Sequence, residues 1–168
     1  ILSLCSSLSQ QQRMIENKNY DNFTKHLQLP HFEIRGKSLG VIGAGAIGRQ
    51  VIKVARVLGM DILVYSRTIK DLGDPGIKFV SLEELLRKSD FVTLHCPLTP
   101  ETKYLIDKSK LELMKPSAFI INTARGAIIK EADLLEALKN KKISGAALDV
   151  QDAAPPEADN PLVTMNNV

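Results

Sequence analysis

Between Ser38 and Val150, short apolar runs alternate with stretches of helical spacing, and few chain architectures tolerate that order. Strands are expected at Ser38–Gly43, Asp61–Tyr65, Ile77–Val80, Phe91–Leu94, Ala118–Ile121 and Gly145–Val150. Each is too short and too uniformly apolar for one wet face, which indicates a parallel sheet covered on both sides. Helices are expected at Ile47–Leu58, with Ile47, Val51, Val54, Ala55 and Leu58 inward, and at Glu131–Asn140, with Leu134, Leu135 and Leu138 inward. Ser81 and Glu84 form a capping box, stapled by Val80 and Leu85, for a helix reaching about Lys88. Thr99-Pro100 opens a short helical turn, and Ser109–Met114 is a second short helix. The fold class is therefore α/β, a doubly wound parallel sheet. Ligands of such sheets bind beyond the carboxyl ends of the strands, so the residues after Ile42, Tyr65, Leu94, Ile121 and Leu148 matter most.

A leading segment stands apart. Ile1, Leu4, Leu8 and Ile15 are spaced as one face of a helix over Ile1–Glu16, and Asn17–Arg35 is polar and irregular. The expected division is an N-terminal helix and arm at 1–35 and the α/β domain at 36–168. An arm this long usually packs on a partner or another domain.

Gly43-Ala44-Gly45-Ala46-Ile47-Gly48 follows a strand and opens a helix, the context that gives this glycine spacing its meaning. Gly43 permits the tight turn, Gly45 lets backbone approach a pyrophosphate, and Gly48 lets helix and sheet come close. The helix start offers unpaired N–H groups to phosphate. The alternative is a tight turn with no ligand. Eighteen to twenty residues after Gly48, the second strand ends in Ser66-Arg67-Thr68 instead of a carboxylate. An acidic residue there would hold the ribose hydroxyls and repel a 2′-phosphate. Arg67 can pair with that phosphate, and Ser66 and Thr68 can donate hydroxyls. The triplet points to NADP(H), with NAD(H) usable; alternatively Arg67 is a solvated residue stacking on adenine.

At 168 residues, 44% hydrophobic and 24% charged, the chain has globular proportions, not those of a disordered segment. A net charge of +3, spread along the chain, argues against nucleic acid as a partner. No apolar run approaches bilayer length, and Ile1–Gln12 makes a poor signal peptide. Cys5 and Cys96 fit a reducing compartment and form neither a disulfide framework nor a metal site. A cytoplasmic setting is expected.

Asn122-Thr123-Ala124-Arg125-Gly126, Leu134–Leu138, Ala147-Leu148-Asp149-Val150 and Leu94-His95-Cys96-Pro97-Leu98-Thr99-Pro100-Glu101-Thr102 together resemble the D-isomer-specific 2-hydroxyacid dehydrogenases, over roughly Arg35 to Val168. Pro155-Pro156-Glu157 with Asp159–Leu162 is most similar to the glycerate dehydrogenase and hydroxypyruvate/glyoxylate reductase branch. The resemblance implies hydride transfer between a nicotinamide cofactor and a small 2-oxo or 2-hydroxy acid. It gives Arg125 the substrate carboxylate and ketone. It places Ala46 and Ile47 along the diphosphate turn, Cys96 and Pro97 near the adenosine, and Thr123 and Ala124 along the cofactor. It makes Asp149 the acceptor of the nicotinamide carboxamide, and it implies a homodimer in which the first helix and arm cross the interface.

Two departures stand against the family pattern. Ala154 occupies the place of a glutamate that orients the catalytic histidine, and neither Asp152 nor Glu157 stands there instead. A changed mechanism, a weakened enzyme or an altered sequence are all open. The family's histidine lies in a Thr-Pro-His segment after the strand that Asn166-Asn167-Val168 would begin. None of His26, His31 and His95 matches it; His95 reads as structural or cofactor-flanking. Little turnover is expected of this chain alone. Ala154 also leaves a second reading: a nicotinamide-sensing interaction module similar to dehydrogenase-like corepressors.

Overall fold

A computed structural model describes residues 1–18, 31–68, 73–153 and 160–168. Six strands form one sheet: β1 (Ser38–Ile42), β2 (Asp61–Tyr65), β3 (Ile77–Phe79), β4 (Phe91–Leu94), β5 (Phe119–Asn122) and β6 (Gly145–Leu148). Every neighbouring pair is parallel, in the order β3-β2-β1-β4-β5-β6. The chain builds outward from β1 to β3, then returns to the other side of β1 with β4. The order reverses between β1 and β4, and a crevice opens there at the carboxyl ends.

Alternate residues of each strand feed two cores. Leu39, Val41, Ile62, Val64 and Phe91 join Ile52 and Ala55 of α3 (Ala46–Val57) on one face. Ile42, Leu63, Val92, Leu94 and Ile120 join Leu82, Leu85 and Leu86 of α4 (Leu82–Lys88), together with Leu134 and Leu138 of α6 (Glu131–Lys139), on the other. Both faces are covered, as the apolar runs require. Gly40 points at α4, where a Cβ would lie 2.4 Å from Leu85 Cδ2.

The inward face of α3 meets the sequence expectation at Val51 and Ala55, which pack in the core, and differs from it elsewhere. Ile47, Val54 and Leu58 are exposed, at 70%, 60% and 36%, while Gly48, Ile52 and Ala55 are buried. The helix is turned by one residue, about 100°. The cause is Gly48, where an added Cβ would stand 2.1 Å from the Gly43 carbonyl oxygen. The helix can approach the sheet only through that glycine. Gly59, at φ 79°, ends it as expected.

The first helix is broken in two, α1 (Leu2–Cys5) and α2 (Leu8–Glu16). Ser7 between them is left-handed at φ 50°, and the Ser6 hydroxyl donates to Leu2 O at 3.0 Å. Such local serine bonds compete with helix continuation. Ile1 and Leu4 pack against the chain's own core, and Gln10 and Arg13 donate to the Asn166 and Met165 carbonyl oxygens at 3.1 and 2.9 Å. Cys5 is buried, and Phe32 stacks on Phe91 and Phe119 with centroids 6.0 Å away from each. The arm residues Tyr20, Phe23, His26, Leu27 and Leu29 lie outside the described residues.

Smaller corrections follow local caps. Ser81 accepts from Glu84 N–H at 3.1 Å, but the Glu84 carboxylate turns to Lys88 at 2.7 Å and does not complete the box. Residues 100–104 form the single helical turn expected there, closed by Lys103 N–H to Thr99 O at 2.9 Å and not continued further. The next helix, α5 (Lys108–Leu111), starts one residue earlier than expected because Asp107 caps it, and it ends sooner, at Leu111. Pro161–Thr164 is a short helix, α7, capped by Asn160, for which the sequence reading named no element. Residues 166–168 are not a strand, although Asn167 O accepts Ala146 N–H at the edge of β6. No helix among the described residues is long and apolar enough to cross a membrane.

At the amino ends of the strands, Asp90 accepts from Ser38 N–H at 2.8 Å and from Lys115 Nζ at 2.8 Å, tying β1, β4 and the approach to β5 together. Partial burial opposes the Asp90 charge, but the Lys115 and Ser38 bonds outweigh it and hold the carboxyl below its ordinary value of 3.8. A depressed folded value stabilises the fold above the unfolded value and loses that contribution as pH falls through the folded one. Urea unfolding from pH 6 down to pH 3 should therefore show stability falling below about pH 4, with a shallower fall in Asp90→Asn.

Candidate functional site: the crevice at the strand carboxyl ends

The loops after β1, β2 and β4 enclose a cleft of about 330 Å³. Its floor is Gly43, Ala44 and Gly45; one wall is Ser66, Arg67 and Thr68; the other runs from His95, Cys96 and Pro97 to Glu101 and Leu105. Of the residues expected to hold the cofactor, Gly43, Gly45, Ser66, Arg67 and Thr68 thus share one hollow with Cys96 and Pro97, and Ala46 does not line it. Gly43 sits at φ 98°, and a Cβ there would lie 2.7 Å from Cys96 N, so the β1 turn and the β4 loop touch at the switch. Gly45 is the N-cap of α3 and contributes no side-chain cap, leaving the first amides of the helix without that partner. A Cβ on Gly45 would meet nothing within 4 Å. Open space over an uncapped helix start fits the approach of a dinucleotide's diphosphate.

Gly48 and Ile47 stand apart from that hollow. Gly48 faces Gly43 and the sheet, and the Ile47 side chain points to solvent, leaving only its backbone for the diphosphate turn. His95 is half-buried, its Nε2 3.0 Å from Thr93 Oγ1, and burial holds the imidazole below its ordinary value. Cys96 is also partly buried, and burial pushes its thiol up, away from thiolate chemistry.

The second group of expected residues follows β5 and β6 along the same edge. Asn122, 1% exposed, organises it: Oδ1 accepts from Ala124 N–H at 3.0 Å, and Nδ2 donates to Arg125 O at 2.9 Å. These bonds leave Thr123 and Arg125 exposed at the rim. The Arg125 guanidinium spends one bond on Ala124 O, at 2.7 Å. Gly126 lets the chain after β6 pass, since a Cβ would lie 2.0 Å from Gln151 C. Asp149 is exposed beside this loop, its N–H bonded to Asn122 O at 3.0 Å. Backbone bonds from Tyr104 to Ala127 O and from Ile106 to Ile128 O join the wall of the cleft to the arginine loop.

Sequence reasoning places Asn122, Thr99 and Glu101 within motifs but gives them no roles. The signal for Asn122 was present: one amide closing an otherwise apolar strand is rarely accidental. Replacing Asn122 by leucine leaves Ala124 N–H and Arg125 O without their partner, and thermal unfolding should register a loss of about 1–3 kcal/mol. Tyr104 Oη donates to Asp152 Oδ2 at 3.0 Å, so the Asp152 carboxylate already has a partner. Ala154, Pro155, Pro156, Glu157 and Asp159 lie outside the described residues.

An all-parallel sheet with a glycine turn at its switch point defines a dinucleotide-binding domain. The family model for the D-isomer specific 2-hydroxyacid dehydrogenase, NAD binding domain, matches residues 1–168, and the chain belongs to that family. It is 49% identical over 139 residues to a D-3-phosphoglycerate dehydrogenase of Methanocaldococcus jannaschii, covering 81% of this chain and 26% of that protein. It is 44% identical over 138 residues to a glyoxylate reductase of Aeropyrum pernix, covering 81% of this chain and 41% of the relative. Among solved structures, D-mandelate dehydrogenase of Rhodotorula graminis superposes with a TM-score of 0.91 at 34% identity, over 99% of this chain and 50% of that one. The chain thus spans half or less of the length of these relatives.

Proposed function

We propose that this chain forms the cofactor-binding part of a 2-hydroxyacid dehydrogenase of the hydroxypyruvate or glyoxylate reductase type, with NADP(H) preferred over NAD(H). The observation that carries the cofactor preference is Ser66-Arg67-Thr68 on the wall of the cleft, where no carboxylate of β2 opposes a 2′-phosphate. Likeness to a glyoxylate reductase and the resemblance of the Pro155–Leu162 stretch support the substrate class.

When bound, the nicotinamide supplies or takes the hydride. The chain's residues bind and orient. Gly43, Gly45, Ala46 and Ile47 present backbone to the diphosphate, and Gly48 sets the helix close enough for them to do so. Cys96 and Pro97 pass the adenosine; Thr123 and Ala124 run along the cofactor; Asp149 accepts from the carboxamide. Arg125 holds the 2-oxo acid's carboxylate and stabilises negative charge growing on its carbonyl oxygen. In this reading residues 1–35 are an arm leading into the 36–168 domain, and the longer protein is a cytoplasmic homodimer.

Titration with NADPH and NADH, followed by nucleotide fluorescence, tests the reading. NADPH should bind at least about tenfold tighter, equivalent to about 1.4 kcal/mol. Equal or tighter NADH binding would return the assignment to the family as a whole. With hydroxypyruvate, this chain should turn over more slowly than roughly 1 per second, the low end of ordinary enzymes.

A further inference from the structure

The cleft wall opposite Arg67 carries one acidic group. Glu101 lies in the turn after β4, while Arg67 follows β2, and β1 runs between those strands. Both residues are exposed, and both line the cleft. The carboxylate of Glu101 is held in place: Thr99 Oγ1 donates to its Oε2 at 2.7 Å. The turn beneath it is fixed in its own right. Thr102 Oγ1 accepts from Thr99 N–H at 2.8 Å and donates to Pro97 O at 2.7 Å. The Thr99 bond, and at longer range the charge of Arg67, hold the Glu101 carboxyl below its ordinary value. Glu101 and Arg67 do not make a direct ion pair, so the guanidinium stays available to a ligand between the walls.

We infer that Glu101 is a second determinant of dinucleotide choice, a fixed negative charge that offsets Arg67 and disfavours a 2′-phosphate between the two walls. The inference rests on the proposed dinucleotide cleft and deepens it. Specificity in such sites is a difference of affinities, and a repulsive element contributes as much as an attractive one. NADPH differs from NADH by a phosphate carrying most of two charges, so a carboxylate on the facing wall, which acts equally on the diphosphate they share, opposes NADPH by the extra phosphate. It explains how a cleft whose β2 end favours the phosphate still admits NADH: Glu101 narrows the margin that Arg67 creates.

Glu101→Gln removes the charge and keeps an oxygen for Thr99. Glu101 is exposed, so the fold should be unaffected, and an unchanged melting curve verifies that. Wild type and variant are titrated with NADPH and NADH at low and high salt. The expected result is NADPH binding tightened about threefold or more in the variant, NADH binding changed less than about twofold, and the difference fading at high salt as screening sets in. An unchanged NADPH-to-NADH ratio, or an equal shift for both dinucleotides, overturns the inference. The wild-type ratio separately decides the cofactor preference. A wild type that favours NADH defeats that preference, while a ratio moved by Glu101→Gln still upholds the role of Glu101.

Discussion

Gly48→Ala is expected to cost the fold about 2–3 kcal/mol and to weaken dinucleotide binding more than tenfold. The new Cβ would stand 2.1 Å from the Gly43 carbonyl oxygen, a backbone atom that no rotamer change can move. Overpacking of this kind typically costs about 1–3 kcal/mol, and here relief requires α3 to back away from β1. That movement carries the start of α3 with it, so the amides that face the cleft shift together. In a domain of this size the melting temperature should fall by roughly 5–10 °C. Gly45→Ala is the control. Its Cβ meets nothing within 4 Å, so stability should barely change, while bound phosphate would meet the methyl group. Calorimetry and fluorescence titration on the two variants separate packing from ligand approach. Equal stability losses in both would contradict the assigned helix contact.

Arg67→Gln is expected to weaken NADPH binding about tenfold or more and to leave NADH binding within about twofold. Arg67 makes no ion pair among the described residues, so its removal disturbs little of the fold. What disappears is a charge-assisted contact to the 2′-phosphate, and such bonds are worth about 1.5–3 kcal/mol. The same loss for both dinucleotides would instead mean that Arg67 stacks on the adenine that they share.

The sheet was legible because its signals are local. Each strand is a short apolar run, and parallel strands buried on both faces need nothing subtler. The face of α3 was not, because apolar spacing assumes that the largest side chains point inward. At this helix the closest approach to the sheet belongs to Gly48, and Ile52 and Ala55 follow it in. A residue without a side chain overruled Ile47, Val54 and Leu58, and hydrophobic periodicity has no symbol for that. Similarly, the break at Ser6-Ser7 depends on one left-handed residue and the hydrogen bonds of the Ser6 hydroxyl, which leave the apolar pattern of the segment intact.

The candidate site divides the same way. Gly43–Gly45, Ser66–Thr68 and the Asn122–Arg125 run each follow or close a strand, so knowing the strand ends was enough to find them. Thr99 and Glu101 sit several residues beyond β4, in a turn whose Thr102 hydroxyl bonds back to Pro97 O. The motif around them marks the segment, but only the three-dimensional turn shows which side chain faces Arg67.

The strand order has a metrical consequence. The glycine turn leaves β1 and the arginine loop leaves β5, with β4 alone between them. Their lateral separation is therefore two inter-strand steps, roughly 10 Å, ruled by main-chain hydrogen bonds. Side chains decide what each station binds, but the gauge between the stations belongs to the peptide backbone. Sequences can drift widely in the core and still keep the two ends of a bound molecule in register, because nothing in that drift alters the ruler.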